Sequence, residues 1–421
     1  MSGGALRTDL PWWREPTKGQ WVSFLAAWLG WVMDAFDFTV FLVVMPEITR
    51  EMGVTQTSTA LTITLTLLVR LIGGYVAGAA ADRWGRKLPL MISVIWFAVC
   101  DGLIAVAPSF FWILVLRTLF GFGMGAEWTS GATLAMESWP ARSRGIASGV
   151  LQGSWAIGYF AAAQVAGFVV PRYGWRAVFV VAALPALLVL PIRAFVPESP
   201  VHKEPPAGEG KAGTAPAPGR ILTRENLGRL AWACLIMALG FGAYYALTAS
   251  HATLLKVDLG LDPGRTGDIL GLFNIGMMVG AVLCGVAASR IGVVPAVMVP
   301  ALVLLPALPL FVGRWEGYIA LGAFLGGVFG AGYSGVTPLL LTSLFPPEIR
   351  ARCVGLAYHV GACFAAFVPP AITLLVEKKG LRLADAITYV AGSSAFLLAL
   401  SMLLRPRSAR TEIAASASVL H

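Results

Sequence analysis

The stretch Gly78–Lys87, GAAADRWGRK, sets four charged side chains, Asp82, Arg83, Arg86 and Lys87, into an otherwise apolar part of the chain. The apolar runs on either side, 59–81 and 88–107, are each about twenty residues long, enough at ~1.5 Å per residue to cross the ~30 Å hydrocarbon layer as a helix. A short charged turn between two such runs is the loop of a transmembrane helical hairpin. Working outward, the same pattern recurs at 21–45, 110–135, 146–170, 175–196, 227–250, 267–289, 294–313, 317–341, 353–376 and 384–404, for twelve spans in all. Residues 197–226 differ in kind, being rich in Pro, Gly, Ala and charge, the composition of a linker. The expected organisation is a cytoplasmic segment 1–20, a six-helix bundle 21–196, a linker 197–226, a second bundle 227–404 and a cytoplasmic tail 405–421.

Composition agrees. Of 421 residues, 57% are hydrophobic and 13% charged, about half the charge of a soluble domain, and the mean hydropathy is +0.76. So few charges cannot coat a water-soluble enzyme. The net charge of +9 would suggest nucleic acid in a soluble protein, but its distribution gives another cause. With the N-terminus inside, 20 of the 31 Lys and Arg fall on the inner side, 9 on the outer side and two, Arg70 and Arg117, within the membrane. This positive-inside pattern places both termini in the cytoplasm and leaves no reason to invoke nucleic acid. The first apolar run is too long for a signal peptide and lacks a cleavage site. The five cysteines all sit in apolar runs without CxxC spacing, which suits packing rather than disulfides or metal.

The two halves echo one another. GVAASRIG (Gly285–Gly292) after span eight is a decayed copy of the Gly78 loop, and Gly121–Gly145 parallels Gly326–Gly355. Such repeats build two bundles with a substrate site between them.

The sequence G-x-x-x-D-R-x-G-R-K after span two resembles the signature loop of the major facilitator superfamily. WVMDAFDF (Trp31–Phe38), R-x-x-x-G-x-G-x-G-A-E-W (Arg117–Trp128), ESWPARSRG (Glu137–Gly145) and PESP (Pro197–Pro200) resemble a narrower branch, the sialate/lactate:proton symporters and the neighbouring metabolite and aromatic-acid:proton symporters. Where lactate members continue Ser-His with Gln-Asp in span seven, Ser250-His251 is followed here by Ala252-Thr253, a departure from the lactate pattern. The resemblance implies an all-α membrane protein of twelve helices in two pseudo-symmetric bundles, with spans seven and ten lining a central cavity and span three outside it.

An ionisable group deep in a span costs ~2.5–3.5 kcal/mol on insertion scales and is a functional candidate for that reason. Asp34, Asp37, Arg70, Asp101, Arg117 and Glu127 are such groups, all in the first half. Counted at ~1.5 Å per residue, Asp37 and Arg117 lie ~12 Å below the outer surface, Asp101 ~9 Å, and Asp34 and Arg70 near the middle. Asp37 can then face Arg117, and Asp34 can face Arg70. Protonation of an aspartate frees its arginine, and a guanidinium binds a carboxylate bidentately. Asp37 is therefore the first candidate proton carrier, with Asp34 and Asp101 after it, and Arg117 and Arg70 are candidate coupling or anion-binding cations. The plainer alternative is that these are static pairs locking helix packing. Candidate substrate contacts are Asn274, Tyr244, Tyr245, Tyr333, His359 and His251, each equally explicable as a packing contact.

Gly78, Asp82, Arg83, Gly85, Arg86 and Lys87 suit a conformational switch, with Asp82 capping a neighbouring helix; the alternative is that these charges hold topology alone. Glu137, Glu127 and Arg144 join the switch set, with Glu127 expected to pair with inner-side arginines such as Arg144. Gly121, Gly123 and Gly125 fall inside a span, so they suit close helix approach rather than a phosphate loop. No GxSxG, HExxH or Walker pattern occurs, and nothing signals an enzyme, cofactor or metal. The expected function is proton-coupled uptake of a small organic anion (lactate or pyruvate, sialate or an aromatic acid) by a monomeric unit in a bacterial inner membrane. A proton-driven drug or metabolite exporter and a non-transporting membrane sensor are the alternatives.

Overall fold

The computed structural model describes residues 11–203, 223–315 and 317–418. Most of the expected linker, 204–222, lies outside the described residues, as do 1–10, 316 and 419–421. Twelve helical spans follow one another: α1 (Lys18–Met52), α2 (Gln56–Trp84), α3 (Lys87–Ala105), α4 (Phe110–Ser138), α5 (Arg144–Tyr173), α6 (Trp175–Ala194), α7 (Arg224–Thr248), α8 (Pro263–Ile291), α9 (Val293–Phe311), α10 (Ile319–Ser343), α11 (Arg350–Lys379) and α12 (Leu383–Leu403). A surface helix, α13 (Arg407–Ser418), ends the described chain, and no strand occurs among the described residues. Eleven helices are long and apolar enough to cross a membrane, and α6 adds the shorter apolar stretch Trp175–Leu184.

Caps, rather than hydropathy, set the helix ends. Thr17 and Gln20 form a capping box at the start of α1, so the helix begins before the apolar run and stops at Gly53, whose φ of 63° suits only glycine without strain. Asp262 caps α8 by accepting the Arg265 N–H at 3.0 Å, with Pro263 in the first turn. Two spans are irregular. α10 passes through a π turn at Gly326–Ala331 and a 3-10 turn at Gly332–Val336. α11 breaks at Ala366–Phe367, where Pro369 and Pro370 remove two N–H donors from the next turn. The first residues of the expected linker are ordered against the first half, and α7 takes in its last three.

Within the first half α2 packs on α4, α1 on α5 and α3 on α6; in the second, α11 packs on α7 and α9 on α12. The halves meet along two related seams, α2 against α11 and α5 against α8. The repeat glycines make these seams possible. A Cβ on Gly78 would stand 2.6 Å from Arg352 Cα, and one on Gly285 would stand 2.4 Å from the Gly145 carbonyl oxygen. Backbones touch only where no side chain intervenes. Both seams are tight toward the end of the bundle that carries the chain termini, called the terminal side below.

Replacing Gly78 with Leu should wedge the α2–α11 seam open. The distance between spin labels at positions 83 and 348, measured by pulsed EPR, should lengthen by several ångström; an unchanged distance would show that the seam tolerates the side chain.

Candidate functional site

The buried charges of the first half form one cluster. Asp37 on α1, Asp101 on α3 and Arg117 on α4 are each 1% exposed. Arg117 Nη1 lies 3.5 Å from Asp101 Oδ1, and its guanidinium sits over the rings of Phe41 (4.6 Å) and Phe120 (4.1 Å). The charges that act on Asp37 are those of Asp101, Asp34 and Arg117. The ion pair of Arg117 is thus with Asp101, with Asp37 as a second acid beside it. Span three was expected outside the cavity, yet Asp101 turns inward because α3 lies against α4. Two carboxyls facing one guanidinium are neutral as a group when they share a single proton, and any other protonation state leaves net charge in a low-dielectric interior.

One turn deeper, Asp34 shares a face of α1 with Trp31 and Phe38, and Trp31 and Phe38 line a central cavity of about 70 Å³. Arg70 on α2 lines the same cavity and is 5% exposed. Its guanidinium carbon lies 5.7 Å from the Trp31 ring centroid and 5.6 Å from that of Tyr358, within cation–π range. Its Nε and Nη2 have no hydrogen-bond partner among the described residues. Arg70 is held there by the approach of α4, since a Cβ on Gly125 would come 2.1 Å from the Arg70 carbonyl oxygen and one on Gly121 would come 2.2 Å from that of Thr66. Gly123 faces the Trp96 side chain on α3 instead.

Tyr244, Tyr245 and Tyr333 line the cavity with Trp155, Phe241, Gln152 and Tyr358. Tyr358 stacks on Trp128, with ring centroids 3.5 Å apart, and the Trp128 Nε1–H donates to Gln152 Oε1 at 3.3 Å. Asp34 and Arg70 both act electrostatically on Tyr358, so the cavity and the acid cluster adjoin. Sequence reasoning missed Tyr358, Gln152 and Trp155. Of the cavity rings, Trp31 and Phe38 lay in a quoted motif and Tyr244, Tyr245 and Tyr333 were named candidates, whereas Tyr358, Trp155 and Phe241 look like any buried aromatic.

The remaining sequence candidates divide. His359 is fully buried where α11 meets the first half, its Nε2 3.2 Å from the Gly125 carbonyl oxygen and 3.4 Å from Thr129 Oγ1. It stands beside Arg70 but is not a cavity wall. His251 is stacked on Phe311 at 4.2 Å within the second half, away from the cavity. Asn274 donates to the Leu270 carbonyl of its own helix at 3.0 Å and does not reach the cavity either. Neither residue is brought to the candidate substrate site.

The switch residues converge on the terminal side. Asp82 accepts the backbone N–H groups of Ala351 (3.0 Å) and Arg352 (3.1 Å), so a residue of the first half caps the first turn of α11 in the second. Glu137 binds Arg86 at 2.9 Å and Arg350 of the other half at 2.9 Å, and takes the Ser199 hydroxyl at 2.6 Å. Arg86 also donates to the Pro347 carbonyl at 2.9 Å. Glu198 caps α3 by accepting the N–H of Arg86 (2.8 Å) and Lys87 (3.2 Å). A Cβ on Gly85, at φ 94°, would strike the same carboxylate at 2.3 Å. Arg83 points away, over the ring of Trp84. Arg144 donates to the Trp139 carbonyl at 3.0 Å, not to Glu127. The Glu127 carboxyl lies deeper, on the face of α4 that Gly131 turns toward Leu90 and Ala27, which is why the expected Glu127–Arg144 pair does not form. Arg350, Arg352, Glu198 and Ser199 had not been singled out; the PESP run was the available signal for the last two. Among the described residues, the hydrogen bonds and ion pairs joining the halves lie between mid-depth and the terminal side.

Comparison with known proteins accords with this architecture. The family model for the Major Facilitator Superfamily matches residues 27–262 and 249–419. The sialic acid transporter NanX of Escherichia coli (strain K12) is 29% identical over 390 residues, covering 92% of this chain and 95% of that protein. The cis,cis-muconate transport protein of Acinetobacter baylyi is 28% identical over 377 residues, covering 86% and 89%. The solved structure of the proton:xylose symporter XylE bound to 6-bromo-6-deoxy-D-glucose superposes with a TM-score of 0.75 at 17% identity, covering 91% of this chain and 95% of that one. The twelve spans, the seams between two repeated halves and the family match together make the chain a member of the Major Facilitator Superfamily, a membrane transporter and not an enzyme.

Proposed function

We propose that the protein imports a small organic anion together with protons across a bacterial inner membrane, as a monomeric transport unit whose two bundles (21–196 and 227–404) rock about the central cavity, joined by the 197–226 linker. The observation that carries this reading is Arg70, a buried guanidinium with unpartnered donors facing a cavity that adjoins the Asp37–Asp101–Arg117 cluster. A buried arginine with open donors suits a carboxylate, which it grips through two parallel hydrogen bonds. The names of the sialic acid and muconate transporters among the relatives favour an organic acid.

In this reading Asp34 links the two clusters. An arriving carboxylate neutralises Arg70, and the change of field at Asp34 and Tyr358 is passed to Asp37, which takes up a proton shared with Asp101. Loaded with one anion and two protons, one shared by Asp37 and Asp101 and one on Asp34, the group of Asp34, Asp37, Arg70, Asp101 and Arg117 is neutral. That is the condition under which the first half can slide past the second without dragging that net charge through the membrane. The positive-inside distribution puts the terminal side in the cytoplasm. The Asp82 and Glu137 contacts hold the halves closed there, so the cavity is poised toward the outside. At about 70 Å³ it holds only two or three waters by volume, and a substrate enters as the halves part.

The cavity lining bears on which acid is carried. It offers one cation, a set of rings (Trp31, Trp155, Phe241, Tyr244, Tyr358), the hydroxyls of Tyr244, Tyr245, Tyr333, Ser334 and Tyr358, and the Gln152 amide. A flat unsaturated acid stacks on these rings, with its carboxylate on Arg70 and the tyrosine hydroxyls around its edge. A planar monocarboxylate therefore fits best.

Three measurements in proteoliposomes check this. Arg70→Gln should weaken anion binding by the ~1.5–3 kcal/mol of a charged hydrogen bond, about ten- to a hundredfold in apparent affinity; unchanged affinity removes Arg70 from the site. Asp37→Asn should abolish uptake driven by a pH gradient while leaving anion exchange intact, and an Asp37→Asn protein still driven by the gradient would exclude Asp37 as the carrier. Nicotinate and benzoate should out-compete lactate and sialate for uptake, scored against protein-free liposomes; the reverse order would contradict the planar-acid assignment.

A further inference from the structure

A second, larger cavity of about 730 Å³ opens at the terminal side between the halves. The ends of α4, α8 and α10, the starts of α5 and α9, and α13 enclose it. Four charged groups face it: Glu137, Arg144, Arg350 and Glu412. The two acids are already engaged. Glu137 is shared by Arg86, Arg350 and the Ser199 hydroxyl, and Glu412 on α13 is paired at 3.0 Å with Arg229 on α7.

Arg144 is left over. Its Nε and Nη2 both donate to one backbone oxygen, that of Trp139, at 3.3 and 3.0 Å. It has no ion pair among the described residues. Arg350 is its counterpart in the other half and repeats its geometry, since Arg350 Nε donates at 3.1 Å to the carbonyl of Phe345, again five residues earlier. The two guanidinium groups act on each other electrostatically across the seam. Two arginines therefore face this cavity with only the Glu137 charge, already shared with Arg86, between them. The rest of the wall is apolar, including Ile291, Val293, Leu339, Phe345 and Ile413. A cavity of this volume suits a drug-sized ligand.

We infer that this cavity is a second binding site, for an organic anion with one carboxylate and an apolar body. The carboxylate takes the open donors of Arg144 and Arg350, and the body lies against Ile291, Leu339 and Ile413. This rests on the carboxylate reading of the central site only in extending the same ligand chemistry to a new place. Because the two arginines come from opposite halves, the site is complete only while the halves are closed on this side. An anion accumulating on the terminal side therefore holds the transporter in that closed state and slows further turnover.

The test is the stoichiometry of radiolabelled benzoate bound to the purified full-length protein by equilibrium dialysis. Wild type should bind two molecules per chain, and Arg70→Gln and Arg144→Gln one each. Ile413→Trp, which fills the cavity without altering its charge, should also bind one. Two molecules retained by both Arg144→Gln and Ile413→Trp would overturn the second site and leave the central one standing. Loss of binding in Arg70→Gln with no residual site would overturn it equally. Two sites retained in Arg70→Gln would instead remove the central assignment. If phosphatidylglycerol binds in an Arg144-dependent way and benzoate does not, the cavity belongs to a lipid headgroup and the inference fails.

Discussion

Everything distinctive about this molecule follows from sinking Asp34, Asp37, Arg70, Asp101 and Arg117 into the membrane-spanning part of one bundle. Each group alone carries an insertion cost of ~2.5–3.5 kcal/mol, so each must find opposite charge or a ligand. Arg117 finds Asp101 at 3.5 Å, with Asp37 as a second acid. Arg70 finds two ring faces and leaves donors open. That contrast separates the roles: one arginine belongs to a closed cluster whose charge depends on a proton, and the other waits at a cavity wall.

The second constraint is geometric. The halves can press together only because glycines sit where backbones cross, at Gly78 against α11 and at Gly285 against α5. Around the first crossing, Asp82 and Glu137 bridge to the opposite half through backbone N–H groups and Arg350. A carboxylate capping a helix across a sliding interface loses several hydrogen bonds together when the interface parts, which suits a latch with two discrete positions. The terminal-side cavity with Arg144 and Arg350 lies within the same interface, so whatever fills it acts on the latch.

Much of this was legible in the sequence, because a bilayer leaves few choices. Twenty-residue apolar runs can only be helices, and charges inside them stand out. The repeat of GAAADRWGRK as GVAASRIG marked the seam glycines in both halves. What escaped was partner identity. Depth counted along a helix gives height but not azimuth, so Asp37 looked like the partner of Arg117 when Asp101 on the neighbouring α3 takes that place. Glu127 and Arg144 were assigned to one gate, yet the turn of α4 sends Glu127 toward Leu90 and Ala27. His251 carries a familiar motif but is stacked on Phe311. The aromatic wall of Tyr358, Trp155 and Phe241 gave no signal, since rings that line a cavity and rings that fill a core share one pattern along a helix.

The central claim is that anion binding at Arg70 and proton uptake at the aspartate cluster are one event. It is tested most directly by recording proton and nicotinate fluxes together in liposomes, with internal pH read by a trapped dye and membrane potential clamped. The account predicts that external nicotinate drives acidification of the interior beyond that of protein-free liposomes, in fixed ratio to the nicotinate taken up. Protein-dependent nicotinate entry with no accompanying proton movement would contradict it.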